Sequence, residues 1–417
     1  MPSITNVRIQ LNEARSAATD GIAMKMEQHR EAWRVALAGA LCLAVAMGIG
    51  RFAFTPLLPM MLHDGVIDLT AGGWLATANY LGYFIGALLC MVLRGSATRF
   101  IRIGLAATVL LTLGMGLLQS PGWWLVLRTL AGIASACTFV FASGWCLQRL
   151  AQLQAPALGG IIYCGPGLGI LLTGLATSAM VSHHWKASYG WLSYALLALL
   201  LTATVWRTFA GPAVSLTPAA AAAPQALPPT QIVRQTRGLT IAYALAGFGY
   251  IITATFLPVI ARQALPGSSW PDLFWPLFGI SVSLGAWLAT HLPVHWDNRL
   301  LLAACYLLQA GGILIGVAWP SVFGFALGSI LLGLPFTAIT LFAMRDARRL
   351  RGDQARSLMG LLTATYGIGQ IVGPPLATRL VQGSGSFTSS LCVAAFTLAA
   401  GAGLLGLMYR ESRQTRA

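Results

Sequence analysis

Twelve stretches of mainly apolar residues follow one another along this chain, and about twenty such residues suffice to cross the hydrocarbon of a bilayer as a helix. Their approximate limits are 34–62, 71–93, 101–119, 122–147, 157–181, 187–206, 239–262, 273–292, 300–319, 321–344, 357–380 and 387–409. Glycine and proline interrupt several of them, which membrane helices tolerate where neighbours re-satisfy the freed backbone groups. Hydrophobic residues make up 57% of the 417 and charged residues only 9%. A soluble domain carries roughly 25% charged residues, so this chain lacks the polar surface to face water all round. The expected class is an all-α integral membrane protein with twelve transmembrane helices.

The formal charge of +15 comes from 26 Lys+Arg against 11 Asp+Glu. Nucleic acid is one partner such an excess could serve, but placement argues otherwise. Counted by side, 21 of the 26 basic residues fall in the two tails and the even-numbered connections. Lys186, Arg262 and Arg379 fall on the opposite side, and Arg51 and Arg128 lie within spans. The positive-inside rule then puts both termini in the cytoplasm and turns the charge into a topology signal. The expected location is a bacterial inner membrane, with lipid and a small solute as partners and no nucleic acid. Residues 1–32 read as a polar cytoplasmic tail without the apolar core of a signal peptide; Met24 and Met26 are alternative starts to Met1. Seven cysteines, all in apolar stretches, show neither metal spacing nor a disulfide framework, so no metal and no cofactor is expected.

Residues 208–238 contain GPAVSLTPAAAAAPQALPPTQIVRQTR, whose Pro/Ala-rich composition suits a semi-extended cytoplasmic linker. It separates a first half, 33–207, from a second, 239–409, followed by a short tail, 410–417. The halves repeat each other. Gly48, Gly50 and the Leu58-Pro59 pair match Gly247, Gly249 and Leu257-Pro258 at an offset of 199 residues. Gly86-Ala87 meets Gly285-Ala286 at the same offset, and Gly165-Pro166 has a counterpart in Gly373-Pro374. Parallel six-span repeats with a binding site between them near the midplane are an architecture of secondary transporters.

Together these features resemble the major facilitator superfamily. Arg128-Thr-Leu-Ala-Gly132 is similar to its fourth-helix Arg-x-x-x-Gly signature, and Gly165-Pro-Gly-Leu-Gly169 to its fifth-helix Gly-Pro motif. The loop at Ala97–Arg102 resembles the motif that usually carries Asp and Gly, here Thr98 and Ile101, whereas Asp297 and Arg299 keep an acid–base pair in the equivalent loop of the second half. GIGRFAFTPLLPMM at 48–61 and RGDQARSLMGLLTATYGIGQIVGPPLA at 351–377 are similar to the YbfB/YjiJ-type subgroup. The resemblance covers the chain after about residue 30. It implies a rocker-switch secondary transporter, expected to be monomeric, with a cavity lined by spans 1, 4, 7 and 10. It also implies structural or coupling roles for Arg128, Gly132, Gly165, Pro166, Gly169, Asp297 and Arg299.

Arg51 is the sharpest local feature. It lies past the middle of the first span, where an arginine costs at least about 2.5–3.5 kcal/mol on insertion scales. Such a cost calls for water, an anion or a polar cluster at the guanidinium, and its planar fork suits carboxylate or phosphate. The competing reading is a permanent bond to backbone carbonyls near Pro56. Tyr250 holds the repeat-related place in the seventh span. All eleven acids fall in tails, loops or span ends, leaving no carboxylate at mid-membrane to answer Arg51. That favours an anionic substrate, exchanged against a counter-anion or carried with a proton, over a cationic one. Arg128 follows the turn at Pro121–Trp124 by a few residues, so it can snorkel, with direct contact to substrate as the alternative to a structural or coupling role. Thr363, Tyr366 and Gln370 share one face of the eleventh span, and Asn79, Tyr80 and Tyr83 form a looser patch in the second. Both sets read as cavity lining or as interhelical hydrogen-bonding groups. Gly82-x-x-x-Gly86, Gly165-x-x-x-Gly169 and Gly369-x-x-x-Gly373 read as packing faces.

No P-loop, dinucleotide fingerprint, His-Glu-x-x-His or Gly-x-Ser-x-Gly element occurs, so no enzyme is expected. The alternatives are an exporter of neutral or hydrophobic compounds, in which Arg51 is a structural donor, and a membrane sensor that binds without transporting.

Overall fold

A computed structural model describes residues 25–210, 229–293, 295–352 and 355–414, and every regular element among them is helical. Eleven helices are long and apolar enough to cross a membrane: α1 (Lys25–His63), α2 (Leu69–Val92), α3 (Ala97–Leu117), α4 (Pro121–Gln152), α5 (Pro156–Ser182), α6 (Ala187–Val205), α7 (Thr230–Ala264), α8 (Pro271–His291), α9 (Asn298–Ala318), α10 (Val322–Arg351) and α12 (Thr388–Ser412). The stretch read at 357–380 forms α11 (Ala355–Ser384). Its glycines, Pro374, Pro375 and polar side chains make it less apolar than the others.

Several helices outrun the apolar segments that mark them. The chain is already helical at Lys25, within the segment read as a tail, and α7 starts at Thr230, within the segment read as linker. The backbone ladder continues wherever polar residues with adequate helix propensity follow, so an apolar run marks the span and not the helix. The rest of the proline-rich linker, 211–228, lies outside the described residues, as do 1–24 and 415–417.

Acidic residues secure helix ends. Asp68 caps α2 by accepting from Ala71 N at 2.7 Å, and Asp64 accepts from Ala187 N at 2.7 Å at the start of α6. Arg262 and Asp272 tie α7 to α8. At this far end of the bundle Trp74, Trp123, Trp185, Tyr189, Trp270 and Trp319 are exposed, and at the basic end Trp33, Trp206 and Trp296 are. Exposed leucines cover the helices between the two rings, as expected of a lipid-facing belt flanked by interfacial aromatics.

Small residues set the packing. A Cβ on Gly132 would overlap the Asn79 carbonyl oxygen, and one on Gly82 the Thr129 carbonyl, so α2 and α4 meet backbone to backbone. In the second half a Cβ on Gly285 of α8 would overlap the Leu334 carbonyl of α10, and Gly86 of α2 lies against Ile133 of α4 in the same way. The halves meet along α2–α11 and α5–α8.

One repeat assignment needs correction. Gly48 of α1 packs on Gly169 of α5, and Gly247 of α7 packs on Tyr366 and Gly369 of α11. Gly369 therefore occupies the place of Gly169, close to the 199-residue offset, and Gly165-Pro166 is not the counterpart of Gly373-Pro374. Helices rich in glycine offer several plausible registers, and only the packing partner selects one. Gly165 lies against Ala40 of α1, and Pro166 is buried in the first turn of Gly165–Ser182, where its missing N–H leaves no orphan.

Candidate functional site

Three helices are discontinuous. In α1 the segment Ala44–Ile49 is wound as a π-helix, with Gly50 N bonding Val45 O at 2.9 Å and Phe52 N bonding Met47 O at 3.0 Å, before α-helix resumes at Phe54. In α10 Leu334 and Pro335 separate Val322–Gly333 from Phe336–Arg351. In α5 Tyr163 and Cys164 separate Gly159–Ile162 from Gly165–Ser182. Irregular backbone at membrane depth needs partners inside the protein, and π-turns recur at functional sites.

The break in α1 finds those partners in α4 and α2. Arg128 donates through Nη2 to the Arg51 carbonyl at 3.0 Å and through Nη1 to the Gly50 carbonyl at 3.4 Å. Asn79 Nδ2 donates to Gly50 O at 3.3 Å and to Arg128 O at 2.9 Å, and Ser135 Oγ donates to Ala46 O. Arg128 is 2% exposed. It does not snorkel, as its place near the span end would allow: it turns inward because the unwound turn offers it carbonyls that no helix neighbour claims.

Arg51 sits on that turn. Below it, Ala44–Ile49 packs within its own half on α3, α4, α5 and α6; beyond it, Phe54–His63 adds α7 of the other half. The Arg51 side chain is 4% exposed. Its guanidinium carbon lies 4.1 Å from the Tyr83 ring centroid, 5.2 Å from Tyr80 and 5.3 Å from Phe52. Each such contact is worth about 0.5–2 kcal/mol. Nε and Nη2 have no hydrogen-bond partner, and among the described residues no carboxylate pairs with Arg51.

Aromatic side chains pack beside this cluster. Tyr250 stacks on Tyr366 (centroids 5.7 Å apart, 21° between planes), and Tyr366 stacks on Tyr243 at 4.6 Å. Gln370 Nε2 donates to Tyr250 Oη, and Tyr243 Oη donates to Thr340 Oγ1 at 3.2 Å. Phe336, the first residue of α10 after its break, lies 5.7 Å from Phe52, 5.2 Å from Tyr250 and 5.8 Å from Phe278. Tyr80 reaches across to Thr255 at 2.8 Å.

Of the residues singled out in the sequence, Arg51, Tyr80 and Tyr83 form one cluster, and Tyr250, Tyr366 and Gln370 a second that Phe336 joins to Phe52. Asn79 commits its Nδ2 to backbone carbonyls and leaves Oδ1 buried without a partner, and Thr363 Oγ1 closes on Met359 O of its own helix at 2.9 Å. Tyr243 and Phe336 were missed. Tyr243 precedes Tyr250 by seven residues and so shares its face, a usable signal; nothing in the local sequence marks Phe336.

Asp297 and Arg299 lie elsewhere, at the basic end. Asp297 caps α9 and takes Arg299 side-on, Nε–Oδ1 3.0 Å and Nη2–Oδ2 2.6 Å, while Arg299 Nη1 donates to Met408 O at 3.1 Å and to Ser412. Burial would raise the Asp297 carboxyl, but its bonds to Arg299 win and hold it below the usual range. A cleft of about 540 Å³ opens beside this pair, lined also by His295, Trp296 and Tyr409; it shares no residue with the surroundings of Arg51. One acid departs from the expectation of tails, loops and span ends. Asp346 is fully buried within the extended α10, 2.8 Å from Arg349 Nε. It sits toward the basic end and makes no ion pair with Arg51.

The family model described as "Uncharacterised MFS-type transporter YbfB" matches residues 43–406. The chain belongs to this family of major facilitator transporters. A crystal structure of a mutant form of the nucleoside transporter NupG superimposes with a TM-score of 0.71, at 14% identity, over 90% of this chain and 100% of that one. At that identity the likeness carries the fold alone. No curated protein matches significantly. This YbfB-type chain is thus a multi-pass membrane protein with the fold and family of secondary transporters of small molecules, not of enzymes.

Proposed function

We propose that this transporter carries a small organic anion by rocker-switch alternating access, with Arg51 as the charge that binds it. The observation that supports this most directly is a buried guanidinium at the junction of the two halves with two nitrogens that lack a hydrogen-bond partner and, among the described residues, no carboxylate to neutralise it. A lone buried charge costs several kcal/mol, and a bound anion removes that cost. Arg128, Asn79 and Ser135 hold the turn that presents Arg51, while Tyr83, Tyr250, Tyr366 and Gln370 would face the rest of the solute.

Among the described residues no acid pairs with Arg51, so charge balance would come with the substrate: either one anion is exchanged for another, or the anion travels with its own proton. The remaining features of this reading are an inner-membrane location with both termini cytoplasmic, a monomer, and basic-end coupling through Asp297 and Arg299. Gly132, Gly165, Pro166 and Gly169 would hold the first half together as a unit while the halves rock, since the close helix contacts of these glycines lie within that half.

Proteoliposomes test the reading. Net uptake of an organic anion well beyond one equivalent per protein supports it, and stoichiometric binding without turnover would replace it by a sensor. Transport of neutral compounds only, unaffected by Arg51→Gln, would replace it by a carrier of neutral solutes.

A further inference from the structure

The arginines of this chain reveal which edge of a guanidinium it gives to carboxylates. All five arginine ion pairs among the described residues fall on Nε or Nη2: Arg149 with Glu31, Arg234 with Glu411, Arg262 with Asp272, Arg299 with Asp297, and Arg349 with Asp346. Arg299 shows the complete geometry, with two nearly parallel N–H donors each meeting one carboxylate oxygen. On Arg51 the same two atoms, Nε and Nη2, are buried without a hydrogen-bond partner. The same holds for Arg349, but there Asp346 stands 2.8 Å from Nε, whereas among the described residues no carboxylate answers Arg51.

From this the geometry points to a substrate class: a monocarboxylate with an apolar, ring-bearing or unsaturated body, held side-on by Arg51. The inference rests on the anion reading above and narrows it in two ways. The fork can take two oxygens from a carboxylate, a sulfonate or a phosphate alike, but a carboxylate concentrates its whole charge on those two oxygens, whereas a sulfonate spreads the same charge over three. Charge selects further. A phosphate monoester carries about −1.5 to −2 at neutral pH, and the single free guanidinium edge answers only one negative charge. Arg128, the other buried guanidinium here, is already committed to the Gly50 and Arg51 carbonyls. A second carboxylate on the solute would meet phenols and phenyl rings instead of a cation. Those rings (Phe52, Tyr83, Tyr250, Phe336 and Tyr366) pack on one another and on Arg51 in this conformation, and once parted they would offer flat apolar faces to the body of the solute and a few hydroxyls to its edge.

The experiment is a binding series on the full-length protein in detergent, read by thermal shift and calorimetry. The probes are benzoate and 2-naphthoate, benzamide as neutral isostere, benzenesulfonate as tetrahedral monoanion, and phenyl phosphate and terephthalate as dianions. The carboxylates are expected to bind at least about tenfold more tightly than every other probe. Arg51→Lys should keep anion binding while erasing the preference of benzoate over benzenesulfonate, because an ammonium is a point charge without a fork. Tighter binding of the sulfonate, the phosphate or the dicarboxylate would overturn the monocarboxylate assignment and leave the anion reading standing. Binding of benzamide as tight as benzoate, or of no anion, would overturn both. The ligand series in the unaltered protein decides even if the variant fails to fold.

Discussion

Thr55 Oγ1 donates a 3.1 Å hydrogen bond to the carbonyl of Ala254, its own counterpart 199 residues further along the chain. Two repeat-related positions can touch only near the axis that relates the repeats. That axis therefore runs between α1 and α7, one helical turn beyond Arg51 and Tyr250. The Tyr80–Thr255 bond lies beside it, and Gln382 of α11 donates to Thr70 of α2 at 2.7 Å further out. These bonds join the halves on the far side of Arg51.

Thr55→Val and Thr255→Val each remove one such bond while nearly keeping the side chain's shape. Interhelical bonds of this kind are worth about 0.6–2 kcal/mol. The far side should then open more often, and hydrogen–deuterium exchange should rise in peptides covering 54–63 and 253–262, with α3 unchanged. Equal exchange in variant and parent would show that these bonds do not hold the halves together.

The Arg128 clamp gives a second prediction. Arg128→Gln orphans the carbonyls of Gly50 and Arg51, and a buried unsatisfied group costs about 1–3 kcal/mol. The melting temperature should fall by several degrees, and ligand affinity should fall as well because Arg51 loses its fixed backbone. Arg128→Lys should not rescue the protein, since one ammonium does not reproduce a fork that spans two carbonyls. Full rescue by lysine would reduce Arg128 to a charge.

Gly132→Ala and Gly82→Ala place a methyl group where the facing backbone already stands. Overpacking of this sort costs typically about 1–3 kcal/mol. Both variants should melt earlier than the parent, whereas Gly403→Ala, where a Cβ meets nothing within 4 Å, should not. Similar melting of all three would mean that α2 and α4 part easily.

At the basic end the prediction concerns pH. The Asp297 carboxyl is held below its ordinary range, so its stabilising contribution is present at neutral pH and is lost as pH falls through the depressed value. Asp297→Asn should melt below the parent at pH 7, and the gap should close under strongly acidic conditions. A gap independent of pH would show that the carboxylate's charge does not matter there.

Much of the architecture was legible because lipid imposes it. Span length, basic sidedness and the Gly48/Gly247 repeat all follow from the sequence, and the helices form where apolar length requires them. What escaped reading depends on partners distant in the chain. Arg128 looked free to snorkel because nothing nearby reveals that α1 unwinds and frees carbonyls at Gly50 and Arg51. The fifth and eleventh spans were matched two turns out of register because Gly165, Gly169, Gly369 and Gly373 are equivalent as letters. Asp346 looked like a loop residue because its apolar run stops before the helix does. Arg51 stood out for the opposite reason: a charge at mid-span is conspicuous whatever surrounds it.

The central claim is that Arg51 binds the transported anion, and counterflow in proteoliposomes tests it most directly. Protein reconstituted with saturating benzoate inside should accumulate labelled benzoate from outside, and Arg51→Gln, reconstituted to the same level with an unchanged melting profile, should reduce that accumulation at least about a hundredfold, the loss of one charge-assisted fork. Equal counterflow by the variant would contradict the account.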